Sequence, residues 1–156
     1  QPIVRLAVDW LRRHPPPPAA RVTLLSGDYR IGNVLYDDEG RIRAWLDWEM
    51  APLGDPLEDL AWALLPMWRW GTELACGVIA EDDAIAAWES ASGLRADRSA
   101  LHWWRVFQHV KAQGIWQAAV RAFSEGVTDE LTQATIATRI TAMEDRALLA
   151  TLGWDR

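Results

Sequence analysis

The sequence predicts an α+β fold that is mostly α, with a small β-hairpin early in the chain. Three observations carry this reading. Apolar residues recur at helical spacing between recognisable start and stop signals from residue 56 onward. The β-branched and alternating stretches are confined to residues 21–48. At 156 residues and 50% hydrophobic content, the chain supports one domain with a real core and is short for two.

The elements follow in order. In "IVRLAVDWLRRH", Ile3, Ala7, Trp10 and Leu11 share one helical face, and "PPPP" ends the helix and acts as a linker. "RVTLL" has the composition of a short strand. "NVLY" and "RIRAWLDW" flank "DDEG", whose Asp, Asp and Gly suit the reversing turn of a hairpin. "GDPLEDLAWALLP" carries a helix start: Asp55 as N-cap, Pro56 at the first position and Glu58 three after the cap, with an apolar run that stops at Pro66. Further helices are predicted over 81–92 with Gly93 as stop, over 98–124 with Gly126 beyond it, and over 129–152 ending at Gly153. There is no internal repeat.

Charge and cysteine content exclude several function classes. A net charge of -6 and a pI near 5.0 argue against a nucleic-acid partner, which wants clustered Lys and Arg. Lys111 is the single lysine. Cys76 is the single cysteine, so no internal disulfide forms, and no Cys/His cluster has zinc-like spacing. No apolar run approaches the roughly 18 to 20 residues of a membrane span, and the opening residues do not read as a signal segment. A soluble, cytoplasmic protein with no membrane partner is expected.

The stretch with chemistry in it is "LLSGDYRIGNVLY". Asp28 and Asn33 sit five residues apart in a loop between strands, a pattern that ordinary turn chemistry also produces. The chain then makes the hairpin and delivers Asp47 in "WLDWE". Closing the hairpin brings Asn33 and Asp47 to one edge, where their oxygens are able to share a hard cation, with Asp28 beside it.

An Asp, an Asn five residues later and an Asp after a short hairpin resemble the catalytic loop of protein-kinase-like phosphotransferases. More narrowly, "GDYRIGNVLYDDEGRIRAWLDWEMAPLGDPLEDLAW" is similar to the aminoglycoside phosphotransferase family, especially the branch fused to or resembling acyl-CoA dehydrogenase-associated phosphotransferases. The resemblance implies the helical C-terminal lobe of a kinase-like fold, with ATP as co-substrate, Mg²⁺ as cofactor and a hydroxyl-bearing small molecule as acceptor. Asp28 would orient the acceptor hydroxyl and accept its proton. Asn33 and Asp47 would hold the metal. Asp59 resembles the family's helix-borne Asp that supports the catalytic loop through its backbone. Ser26 stands where the family usually has a His that scaffolds the loop.

Several residues carry two readings. For Arg30, a phosphate contact and a brace for the loop are both open, with an exposed or ion-paired arginine favoured. Glu49 is a candidate metal or substrate contact, with a structural partner favoured. His102 and His109 share a helical face but lack a third ligand, so a structural role is preferred. Trp68, Trp70, Trp103 and Trp104 read as core. The acids at 81–83 suit a helix N-terminus.

No Gly precedes Gly27 and no Lys precedes Lys111, and 27 residues precede Asp28. The family's glycine-rich phosphate cover and small-lobe lysine are therefore not found in residues 1–156. The sequence reads as a single C-terminal, catalytic-loop domain whose N-terminal nucleotide-binding lobe is missing, and these residues alone are expected to bind ATP weakly. The missing lobe, or self-association through the exposed lobe face, is the expected macromolecular partner. A non-catalytic, pseudokinase-like binding domain is the alternative function, and a metal-dependent hydrolase using Asp28, Asn33 and Asp47 is a weaker third.

Overall fold

Two short antiparallel pairings anchor the first half of the computed structural model, which describes residues 1–154. β2 (Val34–Tyr36) and β3 (Ile42–Trp45) form the hairpin, pairing Val34 with Trp45, Leu35 with Ala44 and Tyr36 with Ile42. The jump from Ala44 to Ile42 leaves Arg43 as an extra residue in a bulge. Asp37 closes the turn: its carboxylate accepts the backbone N–H of Glu39 (3.1 Å) and of Arg41 (2.9 Å) and the Arg41 Nε–H (2.9 Å). The Arg41 backbone and guanidinium bonds hold the Asp37 carboxyl below the usual carboxylate range. β1 (Thr23–Leu24) pairs with β4 (Leu53–Gly54), a strand that sequence patterning did not reveal because only two residues take part.

The chain forms two compact units, one of residues 1–15 with the chain from 106 onward and the other of residues 16–105. In the second of these, α2 (Leu57–Ala63) supplies Leu57, Leu60 and Ala61 to a core shared with Leu64, Ala75, Ile85, Ala96, Ala100 and Leu101. Asp55 shapes its start, accepting the Leu57 N–H at 3.0 Å. The helix ends at Ala63, short of Pro66, and Leu65 is already extended (φ -62°, ψ 140°), the conformation favoured before proline. α3 (Glu81–Ser92) ends at Gly93 with φ 70°. The acids of its first turn do more than meet a helix dipole: Glu81 binds Arg69 (3.1 Å) and Arg105, and Asp82 binds Arg98 (3.5 Å). Asp97 caps α4 (Arg98–Ser124) by accepting the Ala100 N–H at 2.8 Å.

The other unit contains α1 (Pro2–Arg13), which buries Ala7 and Leu11, two of the four residues on the predicted face. His14 closes α1 by stacking on Trp10 and bonding its carbonyl at 2.8 Å. In place of one regular helix over 129–152, the chain runs as α5 (Leu131–Thr135), a wide π turn over Ile136–Ile140, and α6 (Thr141–Thr151), packed on α1. Here α4 and α6 share a buried polar seam. His109 Nδ1 contacts Glu144 Oε1, Nε2 lies 3.0 Å from the Thr151 hydroxyl, and Gln113 donates to Asp145 at 2.6 Å. His109 is thus structural, as its sequence context suggested. His102 is half-buried, and burial, with Arg105 second, pushes its imidazole below its ordinary pKa.

Leaving a buried hydrogen-bonding group without its partner costs about 1–3 kcal/mol, whereas replacing both partners by apolar groups of similar shape is often nearly neutral. Glu144→Ala should lower the unfolding free energy by about that amount in urea titrations, and the double replacement His109→Leu with Glu144→Leu should recover most of it. A Glu144→Ala variant within about 0.5 kcal/mol of the parent would mean that the pair contributes nothing beyond an exposed substitution.

Candidate functional site

The loop between β1 and β2 takes its shape from two neighbours. Gly27 has φ 78°, and a Cβ there would stand 2.3 Å from the Met50 carbonyl oxygen, so both the conformation and the close approach require glycine. Asp59, on α2, meets the loop from the other direction. Its Oδ2 accepts the Ser26 N–H at 2.7 Å and its Oδ1 the Gly27 N–H at 3.0 Å. The Ser26 hydroxyl in turn accepts the Trp45 indole N–H at 3.1 Å, which ties the loop to β3. Tyr29 stacks on Trp45 with ring centroids 4.5 Å apart. Burial raises the Tyr29 phenol pKa, with the Asp59 charge as second cause.

These contacts deliver Asp28 into a ring of donors. Its Oδ2 accepts Arg30 Nε–H at 2.9 Å and Asn33 Nδ2–H at 2.7 Å, and its Oδ1 accepts the Trp62 indole N–H at 2.7 Å. Arg30 is therefore ion-paired within the loop, and its guanidinium also lies 5.2 Å from the Trp68 ring centroid. Asn33 ends a short 3₁₀ turn, Ile31–Asn33, and its Nδ2 bonds the Asp28 carbonyl as well, at 2.9 Å. Both donor contacts of the amide point back to Asp28, so the carboxamide oxygen is the group left over for a ligand.

Asp47 follows β3 by two residues. The Leu46 N–H donates to the Asn33 carbonyl at 2.8 Å, which holds the two loop ends together, and Asp47 itself adopts φ 62°. Its carboxylate is exposed and has no hydrogen-bond or ion-pair partner among the described residues. The same holds for Glu49, so the structural partner expected for it is not found. Among the described residues no cluster of three or more His, Cys, Asp or Glu forms a ready-made metal cage. Mg²⁺ does not need one: it commonly keeps waters and binds through one or two protein oxygens plus substrate phosphates. One unpartnered carboxylate and one oriented carboxamide oxygen fit that donor chemistry.

Sequence reasoning missed the indoles. Trp62 stands three residues after Asp59 and so shares its helix face, a spacing that sends both side chains to the same loop. Trp68 is buried and Trp70 is 64% exposed, so the four tryptophans read as core divide. Trp104 is half-buried and donates to Asp55 at 3.2 Å, and Trp103 meets it edge-on. A largely apolar cavity of about 680 Å³ opens beside the loop, with Tyr29, Arg30, Trp45, Cys76 and Trp88 in its lining. Burial pushes the Cys76 thiol pKa up, which disfavours a reactive thiolate.

Gly27→Ala tests how tightly the loop is held. Left-handed strain alone costs about 1–3 kcal/mol, and the Met50 carbonyl must also give way. The variant should melt lower and lose the Ser26 and Gly27 amide protection seen by hydrogen exchange. Unchanged protection at both amides would show that the loop is not pinned as described.

Comparison with known proteins agrees with this architecture. The model of the phosphotransferase enzyme family matches residues 1–104. Acyl-CoA dehydrogenase family member 11 of Gallus gallus is 38% identical over 74 residues, covering 47% of this chain and 9% of that protein. The Homo sapiens protein of the same name is 29% identical over 135 residues, covering 80% of this chain and 17% of its own length. This chain thus spans a small part of the relatives it matches. Among solved structures, a thermostable mutant of aminoglycoside phosphotransferase APH(4)-Ia, in ternary complex with ADP and hygromycin B, superposes with a TM-score of 0.63 at 21% identity, over 99% of this chain and 44% of that one. That likeness shows a shared fold, and with a family match over two thirds of its residues the chain belongs to the phosphotransferase enzyme family.

Proposed function

We propose that this chain is the catalytic-loop lobe of an ATP-dependent small-molecule kinase that moves the γ-phosphoryl group to a substrate hydroxyl. The observation that carries the reading is the orientation of Asn33: its amide nitrogen is spent on Asp28, which leaves an oxygen for a cation next to a carboxylate suited to a hydroxyl. Family membership supports phosphoryl transfer, and the ADP and hygromycin B of the matching structure support a nucleotide with a second small molecule.

In this reading the bond from the γ-phosphorus to the bridging oxygen breaks to leave ADP, a bond to the acceptor oxygen forms, and the hydroxyl proton passes to Asp28. Asp28 aligns the hydroxyl and takes its proton. Asn33 and Asp47 would hold Mg²⁺ beside the nucleotide phosphates. When bound, the metal offsets the negative charge of the phosphates. Asp59 keeps the loop in shape through the Ser26 and Gly27 amides. Arg30 braces Asp28 by its ion pair, and Glu49 faces solvent near the metal loop with its charge available to a ligand. The phosphate cover and lysine come from a nucleotide-binding lobe outside these residues. The exposed Leu35, Tyr36 and Ile42 of the hairpin give that lobe an apolar surface to rest on.

The test is acceptor-dependent transfer from γ-labelled ATP by the full-length product of the reading frame, with Mg²⁺ and a panel of aminoglycosides, macrolides, homoserine-like alcohols and hydroxyacyl-CoAs. Transfer to one acceptor class is expected. Release of labelled phosphate to water at the same rate with and without acceptor would favour a hydrolase, and ligand binding with no transfer a pseudokinase-like domain.

Two variants separate chemistry from scaffolding. General-base positioning contributes about 10² to 10⁴ in rate, so Asp28→Asn should lower kcat by about that factor with little change in melting temperature. Asp59→Ala strands two amide donors at about 1–3 kcal/mol each and should lose stability together with activity. The opposite pattern in thermal melts and single-turnover kinetics would exchange the two roles.

A further inference from the structure

We infer that Trp62 is a positioning residue that anchors Asp28 Oδ1, and that Oδ1 is the oxygen that receives the acceptor's proton. The inference rests on the phosphotransferase reading for its second half and on geometry alone for its first. A carboxylate offers about four lone-pair directions, two on each oxygen. Oδ2 is filled, by Arg30 Nε–H at 2.9 Å and Asn33 Nδ2–H at 2.7 Å. Oδ1 accepts a single bond, from the Trp62 indole at 2.7 Å, and so retains one direction for an incoming hydroxyl.

The Trp62 anchor is held more firmly than the charged donor, Arg30. Arg30 is a flexible side chain with 27% of its surface exposed, whereas Trp62 is 2% exposed and packs against Trp68 at 5.6 Å between ring centroids. An indole is a donor with no acceptor lone pair and does not titrate in water, so Trp62 neither takes the proton nor competes for it. Its effect is to stop the carboxylate from rotating about its Cβ–Cγ bond and exchanging its oxygens. α2 therefore acts on the loop twice from one face: Asp59 holds the backbone, and Trp62, one turn on, aims the side chain.

The experiment uses the full-length protein and Trp62→Phe, which keeps an aromatic ring and deletes the N–H. Misplacing a reacting group costs up to about 10² in rate, so kcat should fall about ten- to a hundredfold with KM nearly unchanged. In an Asp28→Asn background the same change should have little further effect, since Trp62 acts through the Asp28 carboxylate. Multiplying losses would overturn the inference, as would a Trp62→Phe enzyme with parental kcat. A second measurement leaves Trp62 in place: in ¹H–¹⁵N spectra, one indole N–H resonance should move upfield in Asp28→Asn, and it should be the one absent from Trp62→Phe or, where that variant does not fold, from Trp62→Tyr. An indole spectrum indifferent to Asp28→Asn overturns the anchor even if transfer is observed. A responding indole in a protein that transfers nothing supports the anchor and overturns the phosphotransferase reading instead.

Discussion

Two adjacent backbone amides converging on one carboxylate set the conditions for everything else around the loop. Ser26 and Gly27 follow the two-residue strand β1 and have no ladder to donate to, and buried N–H groups without partners are costly. Asp59 satisfies both. For two successive amides to point the same way the chain must turn, and the left-handed conformation of Gly27 makes that turn, as in the small anion-binding nests of other proteins. The anion here is internal. Once it is seated, the next residue, Asp28, has little freedom in where its side chain goes.

Tryptophan supplies much of the polar detail. Trp45 donates to the Ser26 hydroxyl, Trp48 to the Trp45 carbonyl, Trp62 to Asp28 and Trp104 to Asp55. Each ring spends its single N–H on an oxygen, a use that suits an indole placed between a core and a wet site. Four of the eleven tryptophans thus serve as directional fasteners as well as filling. A phenylalanine-rich core of equal volume would pack without aiming Asp28.

The helices were legible because their ends carry local chemistry. Gly93, Gly126 and Gly153 all adopt the positive φ that a helix stop requires, and α3 and α4 occupy the residues their stop signals predicted. The loop motif was legible as spacing, since Asp28, Asn33 and Asp47 are polar residues at fixed intervals between apolar runs. What patterning could not supply were pairings between distant residues. β4 has two residues and no alternation to detect; the Trp62–Asp28 bond joins residues 34 positions apart. The π turn over Ile136–Ile140 leaves the apolar content of its helix unchanged and has no cap or proline to announce it. The Arg30 ion pair was foreseen in kind and is a local matter of two residues' separation, whereas the free carboxylate of Glu49 was not, because nothing in sequence shows which neighbours a surface acid fails to reach.

The backbone of Asp47 narrows the alphabet at that position. At φ 62°, β-branched and bulky side chains are disfavoured, and the residues that enter this region with least strain are glycine, asparagine and aspartate. Glycine would bring no side-chain oxygen, asparagine an uncharged one, and glutamate a longer arm on a less tolerant backbone. Of the twenty amino acids, aspartate alone offers a negative charge on a short stem that the turn accepts with modest strain. Variation there should therefore run along a single axis, from charged to neutral, while the reach of the side chain stays constant.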